Sequence, residues 1–161
     1  MANVLDHLYV ILLAMTPIGE LRLSVPWGIL HLGQPWYLAF ILSLIGNIVP
    51  ALIVPWVLGG LANLLLGFPN PLGRLLAWRA ERLHTAHGHR FQKYGALALV
   101  PFVAIPLPFT GVWTGILAAW AFNIRPKRAI PLLCLGVLIA GIIVTVGTVV
   151  GGEAWRFFIQ R

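Results

Sequence analysis

Long runs without charge alternate along this chain with short clusters of Arg and Lys. No Asp, Glu, Lys or Arg occurs between Leu23 and Gly73, between Tyr94 and Ile124, or between Ala129 and Gly152. Each run exceeds the roughly 20 apolar residues that a membrane-spanning helix needs. Pro and Gly subdivide them. Residues 8–15 are apolar but run at once into Pro17 and Gly19, and residues 23–30 end in His31-Leu-Gly-Gln-Pro35. Both are too short to span, so together they predict a re-entrant helical hairpin with Pro17, Gly19, Glu20, Arg22 and Pro26 at its tip. Residues 36–58 predict a full span that opens on the interfacial aromatics Trp36 and Tyr37. Gly46, Asn47, Pro50 and Pro55 interrupt it; Asn47 either lines a cavity or caps a carbonyl freed by a kink.

The second half repeats this order. Residues 96–104 and 112–122 are short apolar arms around Pro106, Pro108, Thr110 and Gly111, and residues 129–152 predict a clean span followed by a short charged tail. Between the halves, residues 71–93 interleave Arg74, Arg79, Arg82, Arg90 and Lys93 with Leu72, Leu75, Leu76, Trp78 and Leu83, the pattern of an amphipathic interfacial helix. The expected architecture is an all-α integral membrane protein forming one membrane domain. Repeat one covers about 1–66, a basic cytoplasmic connector about 67–93, and repeat two about 94–161.

Composition fits this pattern. The chain is 60% hydrophobic and 9% charged, with mean hydropathy +0.92, far from the usual quarter-charged soluble domain. Its net charge of +7 does not point to nucleic acid, because the cations sit beside the apolar runs, where they set topology. The N-terminus lacks the positive region of a cleavable signal peptide and carries Asp6 instead. The single Cys134 reads as a small buried side chain. His84, His87 and His89 lie among cations that oppose a metal ion, so neither metal nor cofactor is expected.

Charge also separates two topologies. Joining each pair of short arms into one kinked helix gives four spans and places Arg125, Lys127 and Arg128 outside, against the positive-inside rule. With both hairpins re-entrant, those three cations and the connector's five share the cytoplasmic face. The hairpins then enter from opposite sides, an inverted repeat whose tips meet near the midplane. The returning arms would point helix N-termini near Leu21 and Thr110 at that centre, beside Arg22. Such a site suits an anionic group, or a Glu20 kept titratable by burial for proton coupling. Glu20 and Arg22 neutralising one another is the competing reading.

The run Pro17-Ile-Gly-Glu-Leu-Arg-Leu-Ser-Val-Pro-Trp-Gly28, then Gly46-Asn47 and Pro50, and later Pro106-Leu-Pro-Phe-Thr-Gly-Val-Trp-Thr-Gly115, resembles the small multi-drug export protein family over nearly the whole chain. The resemblance implies a small multi-pass protein of the bacterial or archaeal inner membrane. It carries over Glu20, Arg22 and Pro26 from the first block, and Pro106, Pro108, Thr110, Gly111 and Trp113 from the second. The hairpin pattern is also similar to that of DedA-type membrane proteins, implicated in proton-dependent handling of polyprenyl-phosphate carriers. This chain has no basic residue in its second tip, so it departs from a paired-arginine phosphate clamp.

The function expected is secondary transport, proton-coupled through Glu20, of an amphipathic or anionic lipid-phosphate-like substrate held by Glu20, Arg22, Asn47, Thr110 and Trp113. Export of cationic drugs and a non-transporting assembly role are the alternatives. An enzyme is not expected, because the membrane runs hold no Ser–His pair or metal pattern at usable spacing. Expected partners are membrane lipids, a proton or other coupling ion, and a second copy of the chain packed through Gly147 and Gly151.

Overall fold

The computed structural model describes residues 3–66, 95–106, 110–122 and 124–159, apart from the side chains of 61–66 and 153–159. All its regular elements are helices: α1 (Val4–Met15), α2 (Glu20–Leu30), α3 (Trp36–Leu66), α4 (Leu99–Ala104), α5 (Val112–Ala121) and α6 (Pro126–Ile159). Over Trp36–Gly60 and Pro126–Gly152, α3 and α6 are long and apolar enough to cross a membrane. At about 1.5 Å per residue, each of the other four falls short of a ~30 Å hydrocarbon core.

Both long helices outrun their predicted ends. Helix α6 starts on Pro126, whose missing N–H costs nothing at a first helical position. It continues through 153–159, where a tail was expected, because Glu, Ala and Arg favour helix and Gly151-Gly152 alone does not end it. The basic connector, with His84, His87 and His89, lies outside the described residues.

Thr16 breaks the first apolar run. Its backbone is extended (φ −74°, ψ 147°); its hydroxyl donates to the Leu13 carbonyl at 2.8 Å and accepts the Gly19 N–H at 2.9 Å. The chain then doubles back. The Tyr9 and Trp27 rings stand 6.3 Å apart, and Val10 lies beside Gly28, which in turn packs on Ala39 of α3. One kinked span would separate residues 9 and 27 by about 27 Å, so α1 and α2 are antiparallel arms. In the second half, Val103 of α4 touches both Gly115 of α5 and Gly136 of α6. Residues 103 and 115 flank the second break, so here too the chain folds back.

Each long helix receives the first arm of its own half at a glycine. A Cβ at Gly46 would strike the Ile11 carbonyl and Ala14, and one at Gly136 would strike Val103 and the Val100 carbonyl. These two glycines stand equally far from the starts of α3 and α6. The core around them is built of small and β-branched residues, among them Val10, Ala14, Val25, Ala39, Ala51, Val103, Ile116, Ala129 and Val137, as suits helices held by close packing rather than by exclusion from water.

Candidate functional site where the two breaks meet

Glu20 opens α2 and is only 7% exposed. Its φ of 44° is the one positive value at a non-glycine residue among the described residues. That left-handed backbone costs an L-residue roughly 1–2 kcal/mol, so its surroundings must enforce it. The bond from its own N–H to the Thr16 carbonyl at 3.2 Å and the Gly19–Thr16 turn do so.

The consequence lies across the molecule. The Trp113 N–H donates to Glu20 Oε1 at 3.4 Å, and the Val112 N–H also donates to this carboxylate. These are the first two residues of α5, whose N–H groups lack partners within the helix and form its positive end. A carboxylate from the first break thus caps a helix of the second half.

Gly111 makes the approach possible. Its φ of −141° suits any residue, but a Cβ there would collide with the Glu20 carboxylate. Thr114 completes this end of α5: its hydroxyl accepts the Gly111 N–H at 2.7 Å and donates to the Gly111 carbonyl at 3.1 Å.

Arg22, half-buried, also reaches the second break. Its Nη2 donates to the Thr110 hydroxyl at 3.2 Å and to the Ile105 carbonyl at 3.4 Å, and the Thr110 hydroxyl donates to the same carbonyl at 2.8 Å. Arg22 and Glu20 attract one another electrostatically. Trp113 returns the connection: its indole Nε1–H donates to the Met15 carbonyl at 3.2 Å, one of the unpaired carbonyls at the end of α1.

Asn47 is 1% exposed, and its Oδ1 has no partner among the described residues. Its level follows from the packing of α2 on α3. Gly28 meets Ala39, and one turn further in Ser24 donates to Ser43 at 2.7 Å, both serines being fully buried. The next turn of this antiparallel pairing sets Glu20 and Asn47 at one height. The two serines were missed in the sequence, although Glu20 with Ser24 and Ser43 with Asn47 each have the i, i+4 spacing of one helix face.

Of the remaining predicted tip residues, Pro17 is exposed in the first turn, Gly19 is buried against the Leu13 carbonyl and Thr16, and Pro106 is exposed just past α4. Pro26 lies inside α2 rather than at the tip: helix resumes as early as Glu20, so position 26 is well into the arm. Pro108 lies outside the described residues. The anion-binding helix end expected near Thr110 is present at Val112, but the chain's own Glu20 occupies it.

This geometry joins a buried carboxylate and a guanidinium to the start of a helix from the other half, with the Asn47 Oδ1 unpartnered on α3. Neither a curated protein nor a solved structure matches the chain. A family model described as putative small multi-drug export protein matches residues 20–143, from Glu20 through the second break and into α6. The chain is a member of that family.

Proposed function

We propose that the protein is a small secondary exporter of the inner membrane, proton-coupled through Glu20, whose substrate carries an amphipathic or anionic group. In this reading α1–α2 and α4–α5 are re-entrant hairpins that enter from opposite faces, and the cations of the connector and of Arg125, Lys127 and Arg128 lie in the cytoplasm. The matching seats of Gly46 and Gly136 support an inverted repeat. An introduced cysteine at Arg125 that reacts only with reagent applied from outside would overturn this topology.

The observation that carries the proposal is the Glu20 carboxylate seated on the N-terminus of α5. Ionised, Glu20 fills the positive end of that helix and excludes other anions. Protonated, it loses the charge that holds it there, and its carboxyl O–H becomes a donor for which the unpartnered Asn47 Oδ1 at the same height is a hydrogen-bond acceptor. The Val112 and Trp113 N–H groups, with Arg22 beside them, are then free for an anionic group of the substrate. Proton and substrate therefore exchange at one helix end, in keeping with general electrostatic logic at helix N-termini.

Glu20→Gln in proteoliposomes tests this. The amide keeps the shape but cannot ionise, so transport driven by a pH gradient should disappear. Transport that survives with unchanged pH dependence would refute coupling through Glu20. A static brace is the second reading, favoured by the crossed bonds of Arg22 to Ile105 and of Trp113 to Met15. A brace predicts that Glu20→Gln lowers stability and leaves no transport phenotype of its own.

A further inference from the structure

Among the described residues six polar or charged side chains are buried: Glu20, Ser24, Gln34, Ser43, Asn47 and Thr145. All but Thr145 lie along the seam where α2 packs on α3. Glu20 and Asn47 stand at its inner end, and one turn outward the Ser24 and Ser43 hydroxyls bond at 2.7 Å. A further turn outward Gly28 meets Ala39, and a Cβ on that glycine would lie 3.2 Å from Gln34 Oε1. The Gln34 N–H, donating to the Gly28 carbonyl at 2.9 Å, holds the residue there. The file ends beside Trp36 and Tyr37, both more than half exposed.

Packing accounts for serines at a helix seam, but not for the amides. Both polar atoms of Gln34 and the Asn47 Oδ1 are buried without a partner among the described residues. Buried groups of this kind ordinarily bind water. Successive levels of the file are four residues, about 6 Å, apart, and a water bonded on both sides covers about 5.6 Å. Gly28 places no side chain in between. In the second half the described seam of α5 on α6 is apolar: Gly115 meets Leu133, with Ile116, Ala119 and Ala129 buried in the same cluster.

We propose that this file conducts protons from the outer face to Glu20. The inference rests on the proposed coupling through Glu20 and on the topology above, which puts the Gln34 end at the outer face. An exporter driven by inward proton flow must draw from that side. One proton taken up at the outer end delivers one to the Glu20 carboxylate. Each hydroxyl or water between accepts a proton on one side and gives one up on the other, while the Gln34 and Asn47 amides hold the waters. Charged and titratable groups bordering the file are Arg22 beside Glu20 and, at the outer end, Asp6 and His7 of α1 and His31 after α2. Asp6 accepts the Asn3 N–H at 2.8 Å, His31 stacks on Trp27 at 4.1 Å, and His7 Nε2 is buried without a partner among the described residues. Helices α3 and α5 carry no charge, and the charges of α6 stand in its first turn and beyond residue 152.

Protons released from a caged acid onto the protein in lipid nanodiscs, followed by time-resolved infrared spectroscopy, test the route. The band to read is the Glu20 carboxyl, which should rise in the wild type and be missing in Glu20→Gln. Ser24→Ala with Ser43→Ala, and separately Gln34→Leu, should slow that rise about tenfold, the loss of one hydrogen bond from the path. Final amplitude and pH midpoint should stay the same. Thr145→Val, which removes a buried hydroxyl off the file, should keep the wild-type rate. A nanodisc exposes both faces, so a route from the cytoplasmic side would leave the file variants at the wild-type rate. That result overturns the route and leaves the coupling standing, as does equal slowing by Thr145→Val. A Glu20 band that rises at no pH overturns both.

Discussion

The two breaks of this chain do the same geometric work with opposite chemistry. The first, at residues 16–19, is closed by the Thr16 side chain and delivers the carboxylate of Glu20 and the guanidinium of Arg22. The second, around Thr110 and Gly111, brings only neutral groups: a hydroxyl, the Ile105 carbonyl, an indole and the exposed N–H groups of α5. One break supplies charge and the other receives it. Two chain reversals can therefore share a geometric role and still carry unlike side chains, because a turn constrains the backbone path and not the chemistry it presents.

The largest effect expected on this complementarity comes from Arg22→Met. It leaves the Ile105 carbonyl and Thr110 hydroxyl without their charged donor and Glu20 without a nearby cation. Hydrogen bonds to charged groups contribute about 1.5–3 kcal/mol, so detergent-solubilised protein should lose about 3 kcal/mol in denaturant unfolding. Loss below 0.5 kcal/mol would mean that the charged break is not held by the neutral one.

Gly111→Ala comes next. The added methyl group occupies the place of the Glu20 carboxylate, and displacing a helix-capping group costs about 1–2 kcal/mol. Its transport pH profile should match that of Glu20→Gln, although residue 111 has no ionisable group. A wild-type profile would show that Glu20 acts without α5.

Trp113→Phe removes the bond by which the Trp113 indole holds the end of α1. A loss of about 1 kcal/mol is expected, with transport reduced but its pH dependence intact. The smallest effect should come from replacing Ser24 and Ser43 together by Ala. Each single change strands a buried hydroxyl, whereas removing both partners is nearly neutral. A double-mutant cycle should therefore show coupling of about 1 kcal/mol while the double variant stays near wild type.

Much of the path was legible in the sequence. The charge-free runs marked α3 and α6, and Pro17, Gly19 and Pro106 marked the places where the apolar runs stop being helix. Short arms followed from counting residues against bilayer thickness. The site was legible in part: a helix N-terminus near Thr110 was expected to attract negative charge, and the helix end at Val112 does hold it.

That this charge is Glu20 was not legible. Glu20 and Trp113 are 93 residues apart, and nothing local at the start of α5 names a partner. The left-handed backbone at Glu20 escaped for a different reason, since the turn closed on Thr16 enforces it against the residue's own propensity. Ser24 and Ser43 were overlooked because hydroxyls in apolar helices ordinarily bond to their own backbone; only packing shows that these two bond to each other.

The seating of Glu20 on α5 also bears on affinity. A carboxylate built into the fold beside its own binding place is an intramolecular competitor, present whatever the concentration of the incoming ligand. On the proposed exchange, an incoming anion would have to displace it, so apparent affinity would fall by the fraction of molecules in which the place stands open. Acidification would raise that fraction without altering a single contact to the newcomer. Weak, acid-dependent and chemically tolerant binding would then reflect a resident rival rather than a poorly shaped pocket.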